Sequence, residues 1–504
     1  MKLPVLKKNI SNRALAWMCV AVLLVSLMPL YVLSFYNHAC YDDFGFSLLT
    51  HDRWMETGSL LATVDAAWDN TVGIRTTWEG TYATSFISAL QPALFGEDLY
   101  WVTTLVLLTF FLYALWFFMR QVLVRVLYVD RHTFLMALSA LAFVMVQFVP
   151  EMSEAFFWFN GGVAYTLLWS MALWRFGVWI AFLQSEKNLS RWLYGALLVV
   201  LTVVVGGAKY STLLFAALVD ALVAGCAFVR KRRTRWFELA VFVLLMICFI
   251  FNMTAPGNTV RAATLGGDVS APKAVLQAFY FGLALAGSWF SLPLLVIWAL
   301  VAWQLSDALR GSPFRFSHPV WITIGCICLF CAQLAPTLYT GNYIGDGRTV
   351  NTYFYTFVIM SCALVLYWMG WYVRMSEKRT HLPAIGGAHK GLRLGVLAVA
   401  MAVLIIGCVG HKPSGSDQTG LENIAGVSAL KSLVTGQAQA YDEAMTARDS
   451  ALRDSGQPEV VLMPVEDIPE AFMGDALESD NLTYVLNLYA DYYDKQRVSV
   501  AQDE

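Results

Sequence analysis

Residues 14 to 43 read ALAWMCVAVLLVSLMPLYVLSFYNHACYDD, and this stretch decides the class of fold. The apolar part, Ala14 to Phe35, is long enough to cross a bilayer as one helix, since about 20 residues at 1.5 Å rise span the hydrocarbon core. Lys2, Lys7, Lys8 and Arg13 precede it, as in an export signal. It is too long for one, however, and it runs into NHACYDD rather than a small-residue cleavage site, so it is expected to stay as a first span. Further apolar runs begin near Tyr100, Thr133, Gly162, Trp192, Ser211, Trp236, Ser288, His318, Asn351 and Gly391. The expectation is an all-α polytopic membrane protein of about eleven transmembrane helices. The segment Leu193 to Val205 is the shortest, and reads either as a span or as half of a broken hairpin joined through GGAKYS, residues 206 to 211.

Composition agrees, with 58% hydrophobic residues against 14% charged, more apolar surface than one soluble core can absorb. A net charge of −2 leaves no basic field for nucleic acid. The chain has no Walker loop, no HExxH and no GxSxG, so neither ATP coupling nor a zincin or serine-hydrolase chemistry is indicated. Most cysteines lie inside apolar runs, CICLFC at 326–331 among them, and read as packing rather than as a disulfide framework or metal site.

Lysine and arginine collect at alternate loops: the N-terminus, then Arg120, Arg125 and Arg131, then Lys187 and Arg191, RKRRTR at 230–235, Arg310 and Arg315, and Arg374 to Arg393. By the positive-inside rule these ends are cytoplasmic. The opposite loops, Asn37 to Leu99, Pro150 to Gly161, Gly206 to Tyr210, Met253 to Phe279 and Tyr339 to Val350, then face outward. In the first, GTYATSFISALQPALF (80–95) reads as an interfacial helix. Composition changes after Gly410: residues 411–504 hold seventeen acids against six bases, with a helical stretch from Leu421 to Asp454, a β-like EVVLMP, and a later helix and strand in NLTYVLNLYADYYDKQRVSV. Two domains are therefore expected, a membrane domain over 1–410 whose first outer loop is 37–99, and a small extracytoplasmic α/β tail over 411–504.

The outward loops carry the unusual residues. Asp42 and Asp43 in CYDDFGFS sit just past the first span, where low dielectric can raise a carboxyl pKa and ready it as a base; the alternative is a capping pair at headgroup level. Asp52, Asp65, Asp69 and Glu79 read as solvated by position. Outward cations are few, which singles out Arg261 in NMTAPGNTVR, Arg348 in GNYIGDGRTVN and Lys209 in GGAKYS. Each suits a phosphate clamp, or else an anchor to lipid headgroups. WFNGGVAYTL (158–167) offers Trp158 and Tyr165 for stacking on a sugar or as part of the aromatic belt. Within the spans, Arg175 and Asp220 are expected to pair.

Together YDDFGFS, WEGTYATSF, WFNGGVAYTL, NMTAPGNTVR, GRTVNTYF, YDEAMTAR and NLYADYYDKQRVSV resemble an uncharacterised family of bacterial multi-span proteins grouped with the GT-C glycosyltransferases. The resemblance implies a GT-C-like fold in the cytoplasmic membrane and transfer of a sugar from a polyprenyl-phosphate donor to a cell-envelope glycan or glycolipid on the outer face. The cofactor would be the lipid carrier itself, brought by the polyprenyl-phosphate-sugar donor, with a divalent metal possible at Asp42 and Asp43 but not indicated. It implies Asp43, with Asp42, as the catalytic base, and Arg261, Arg348, Lys209 and Asn258 on the lipid phosphate. Trp78, Glu79, Trp158 and Asn160 would line the sugar or acceptor site. A transporter or flippase of lipid-linked saccharides, or a non-catalytic envelope scaffold, would share the spans and the outer cations; the long acidic first loop and the tail favour transfer.

Overall fold

The computed structural model describes residues 11–265, 269–378, 420–454, 456–478 and 481–501. Among them nine helices are long and apolar enough to cross a membrane. They include α1 (Asn12–Leu33), which starts on a Ser11 cap and continues as a short 3₁₀ turn to Tyr36. Next come helices outside the spans: α2 (Asp42–Thr57), α3 (Leu60–Thr77) and α4 (Tyr82–Ser88). Then follow α5 (Val102–Met119), α6 (Arg131–Gln147), the single turn α7 (Phe159–Gly161), α8 (Leu168–Gln184), α9 (Asn188–Gly206), α10 (Tyr210–Val229) and α11 (Arg235–Met253). The second half holds α12 (Gly257–Leu265), α13 (Ala271–Trp289), α14 (Leu292–Gly311), α15 (Pro319–Ala332), α16 (Ala335–Gly341) and α17 (Gly347–Lys378).

Of the eleven runs expected to span, nine coincide with these helices. The tenth is α6, apolar but 17 residues long. The run from Gly391 lies outside the described residues. α9 is an unbroken 19-residue helix because the polar Asn188 to Ser190 supplies its first turn, so the broken-hairpin alternative does not hold. The segment after Met253 is also more ordered than its loop-like composition suggests. α13 runs through the expected loop and on to Trp289, which packs edge-on against Phe354 and tilted against Phe357 of α17, and the chain breaks at Phe290 and Ser291 before α14.

α4 departs from the interfacial helix read over 80–95. It and the residues after it are buried, with Thr84, Ser85, Ser88 and Gln91 all at 0–1% exposure. Small side chains let its backbone reach the loop after α9, where the Thr84 amide donates to Gly207 at 3.3 Å. A Cβ on Gly207 would meet the Ala83 amide at 2.4 Å, so this approach requires glycine.

Residues 420–501 fold into α18 (Ala425–Val434), α19 (Gln437–Arg453), strand β1 (Glu459–Leu462), α20 (Leu482–Tyr492) and strand β2 (Arg497–Val500). The strands pair in parallel, Glu459 opposite Arg497. A bidentate Arg448–Asp475 pair, buried at 2.9 and 2.8 Å, ties α19 to the crossover between them. This unit sits on the end of the bundle where α1 gives way to α2. Phe44 of α2 meets Tyr489 and Tyr492 edge-on at 5.1 and 4.9 Å, and the Gly426 amide donates to Gln147 of α6 at 2.8 Å.

Candidate functional site

Asp42 and Asp43 open α2 behind a strained turn. Tyr41 has φ 51° and ψ −126°, a conformation glycine takes readily and tyrosine does not, at a cost on the order of 1–3 kcal/mol. Two contacts hold it: the Tyr41 hydroxyl donates to the Asp475 carbonyl at 3.2 Å, and its ring meets Trp158 edge-on.

Successive residues on a helix point about 100° apart, and the two acids part company accordingly. Asp43 turns inward and has no exposed surface. It accepts hydrogen bonds from the Tyr100 hydroxyl, from the Asn160 amide at 3.0 Å and from the Cys40 amide at 3.3 Å. Burial outweighs these three donors and, with the nearby charge of Asp42, pushes its carboxyl up to about 7. Asp42 faces the other way and stays partly exposed. Burial raises its pKa as well, against the opposing pull of Arg348, Lys209 and Arg261. Asp42 thus lies within electrostatic reach of Lys209, Arg261 and Arg348, the three cations singled out by sequence.

Each cation arrives from a different hairpin. Lys209 lies between α9 and α10, Arg261 on α12, and Arg348 at the start of α17. Lys209 and Arg261 meet on Glu79, which follows α3. Lys209 donates to both Glu79 oxygens at 2.5 and 2.7 Å, Arg261 donates to one of them, and the Thr81 hydroxyl adds a further bond at 2.6 Å. Burial, with the nearby charge of Arg348, draws the Lys209 ammonium down to about 8 against the opposing pull of Tyr165 and Asp42. Glu79 is 2% exposed, so the solvated reading of this acid is overturned: it is a buried counter-ion, kept inside by its two cations.

Arg348 pairs with Glu154 at 2.7 Å and Asp346 at 2.6 Å, and its guanidinium stands 5.2 Å from the Trp158 ring centre and 6.0 Å from that of Tyr165. Glu154, Trp158, Asn160 and Tyr165 all come from the short stretch around α7, where two π-helical segments, Ser153–Phe157 and Gly162–Leu167, bracket the turn. Such wide turns re-aim side chains and gather at functional sites. Trp158 is buried and its indole N–H has no partner among the described residues. Trp78, more than a third exposed, stands 5.5 Å from the Arg261 guanidinium.

Not every expected ligand points into this cluster. The Asn258 side chain is spent on backbone groups: Oδ1 accepts from the Gly80 amide, in the segment after α3, at 3.1 Å, and Nδ2 donates to the carbonyls of Asn252 and Met253 at 2.9 and 3.0 Å. Asn160 contributes to Asp43 through its backbone amide. No cluster of three or more metal-ligating side chains occurs among the described residues. Tyr165, read with Trp158 as a stacking or belt aromatic, belongs to the site, and so do Tyr100 and Glu154, which were not anticipated. For Glu154 the only sequence signal was an acid four residues before Trp158. Tyr100 gave no signal beyond its position at the start of a span.

The geometry combines a partly exposed carboxylate, three cations with donors to spare and two tryptophans. Among the described residues Arg261 commits one of its five donors, and Arg348 two through its side chain. Searches against family models, curated proteins and solved structures returned no match to this chain.

Proposed function

We propose that this protein is a membrane glycosyltransferase of GT-C type, transferring a sugar from a polyprenyl-phosphate carrier to an envelope glycan or glycolipid. The observation that carries the reading is Asp42 set opposite Lys209, Arg261 and Arg348 beside Trp78 and Trp158. An apolar cavity of about 290 Å³ supports it, lined by α8, α10 and α17. Its residues Trp169, Thr212 and Thr356 lie one to two helical turns beyond Tyr165, Lys209 and Arg348. A phosphate held by the cations would leave its hydrocarbon chain at the mouth of this cavity.

In this reading Asp42, rather than Asp43, takes the proton from the acceptor hydroxyl. The freed oxygen attacks the anomeric carbon, the bond from that carbon to the phosphate oxygen breaks, and polyprenyl phosphate leaves with the electron pair. The new negative charge falls on the uncommitted donors of Arg348, Arg261 and Lys209, which need no reorganisation to receive it. Asp43, wholly enclosed and with its carboxyl pushed up to about 7, positions the turn that carries Asp42. The basic loops, Arg191 and residues 230–235 among them, would face the cytoplasm, and the site and residues 420–501 the outside of a bacterial cytoplasmic membrane.

The test is incorporation of labelled sugar from a polyprenyl-phosphate donor into envelope material, in membranes with and without the protein. Asp42→Asn is expected to abolish incorporation with its thermal unfolding unchanged. Arg348→Gln should cost about 2–4 kcal/mol of transition-state stabilisation. Full transfer by Asp42→Asn would refute the assigned base, and no protein-dependent incorporation from any polyprenyl donor would remove the transferase reading.

A further inference from the structure

The end of α1 and α6 farthest from the acidic turn holds a second cluster, unrelated to the transfer reading. The two helices run side by side in the same direction. Arg13, Trp17, Arg131, His132 and Leu135 line a cavity of about 340 Å³ between their first turns, while Gln147, near the other end of α6, bonds to Ser26 of α1. α1 is 22 residues long, about 33 Å, so this cavity and the Asp42 cluster lie roughly a bilayer apart.

Its chemistry is anionic recognition. Two helix N-termini, their first-turn amides partly taken by the Ser11 and Asp130 caps, bring their positive dipole ends to one place. Arg13 and Arg131 are exposed, and among the described residues neither forms an ion pair. Asp130, the acid nearest in sequence, spends Oδ1 on the amides of His132 and Thr133 as the cap of α6. The Nδ1 atom of His132 is buried without a partner. Trp17 is half exposed, on a helix apolar enough to cross the membrane. A cation pair, an unanswered imidazole nitrogen and an interfacial indole at the end of a span together match a phosphate whose remaining substituents enter the lipid.

We propose that this cavity binds the phosphodiester headgroup of an anionic phospholipid, with Arg13 and Arg131 on the phosphate and Trp17 against the glycerol and upper acyl chain. The shared chemistry, a phosphate oxyanion, belongs also to free phosphate, and the measurement separates the two sources. Full-length protein in detergent micelles is titrated with phosphatidylglycerol, phosphatidylcholine or inorganic phosphate while its thermal unfolding midpoint is followed. Phosphatidylglycerol is expected to raise the midpoint by about 2 °C or more. The other two should leave it in place. Arg13→Gln/Arg131→Gln should lose most of the rise, and Arg233→Gln, a charge in the loop between α10 and α11, should keep it. Native mass spectrometry of the unaltered protein supplies a readout independent of how the variants fold, with phosphatidylglycerol retained in preference to phosphatidylcholine. An equal rise in the double variant, or equal retention of the two lipids, would overturn the site. A rise produced in full by inorganic phosphate would overturn its assignment to lipid.

Discussion

Breaking the ion pair between α8 and α10 should destabilise the protein unequally, depending on which partner is removed. Arg175 donates to both Asp220 oxygens, at 2.9 and 2.5 Å, and through Nε to the Thr202 hydroxyl of α9 at 2.9 Å. Neither partner has any exposed surface, and the Trp179 ring centre lies 5.3 Å from the guanidinium. Asp220→Asn strands a guanidinium that cannot lose its proton, leaving it only neutral acceptors, the new amide oxygen and the Thr202 hydroxyl, in place of its counter-charge. The expected cost is about 3–5 kcal/mol, the range for an uncompensated buried charge. Arg175→Met strands a carboxyl, which can escape its charge by taking up a proton, so its cost should shrink as the pH is lowered. Arg175→Met/Asp220→Leu removes both charges and should recover most of the loss, with a coupling energy of about 2 kcal/mol or more. Denaturant or thermal unfolding in micelles at pH 5 and pH 8 measures all four proteins. The reasoning fails if Asp220→Asn costs less than about 1 kcal/mol, or if the double variant loses the sum of the two single losses.

Asp43 should make its own mark on stability against pH. Its carboxyl binds protons more tightly folded, at about 7, than its ordinary 3.8, so its contribution is full below about pH 4, falls as pH rises to about 7 and is flat above. At ~1.4 kcal/mol per pH unit this amounts to something on the order of 4 kcal/mol. Asp43→Asn should flatten the fall in unfolding midpoint between pH 4.5 and 7.5, and an unchanged slope would count against it. Glu79→Gln should cost roughly 2–4 kcal/mol in the same unfolding assay by leaving Lys209 buried beside Arg261 without a counter-charge; a loss within experimental error would show the three are not coupled. His38 bridges Glu97 at 3.2 Å and Asp442 of α19 at 2.8 Å; burial opposes its charge, but the two carboxylates win and raise its pKa. That tether is full below about pH 6.5 and is lost as pH rises through the raised value. Hydrogen exchange in α19, corrected for its intrinsic pH dependence, should quicken at alkaline pH in the native protein and show no such step in His38→Asn.

Much of this arrangement was legible in the chain. Apolar length marked the spans, and the scarcity of cations in alternate loops pointed to Lys209, Arg261 and Arg348, which the structure gathers around Asp42. What the sequence withheld were partners and directions. Glu79 looks like any loop acid until two cations 130 and 182 positions away close on it. Asp42 and Asp43 are equivalent as letters and opposite as side chains, because the helix they begin fixes their angle. Asn258 looks like a ligand because loop asparagines often are, yet three backbone groups claim its amide. The π-helical turns around α7 leave no periodic trace, since each is a local widening imposed by packing rather than by side-chain pattern.

The clasp of residues 475–493 on α2 has a consequence for how the molecule is made. Tyr41 and Asp475 stand 434 positions apart, so the strained turn before Asp42 is stapled by a segment synthesised long after it. Loop-closure entropy grows only with the logarithm of that separation, so the delay costs little free energy, but it sets an order of events. The spans can enter the lipid as they emerge from the ribosome, while the acidic turn stays slack until α20 arrives. A nascent chain would therefore sit in the membrane with Asp42 and Asp43 unaligned until synthesis has passed residue 493.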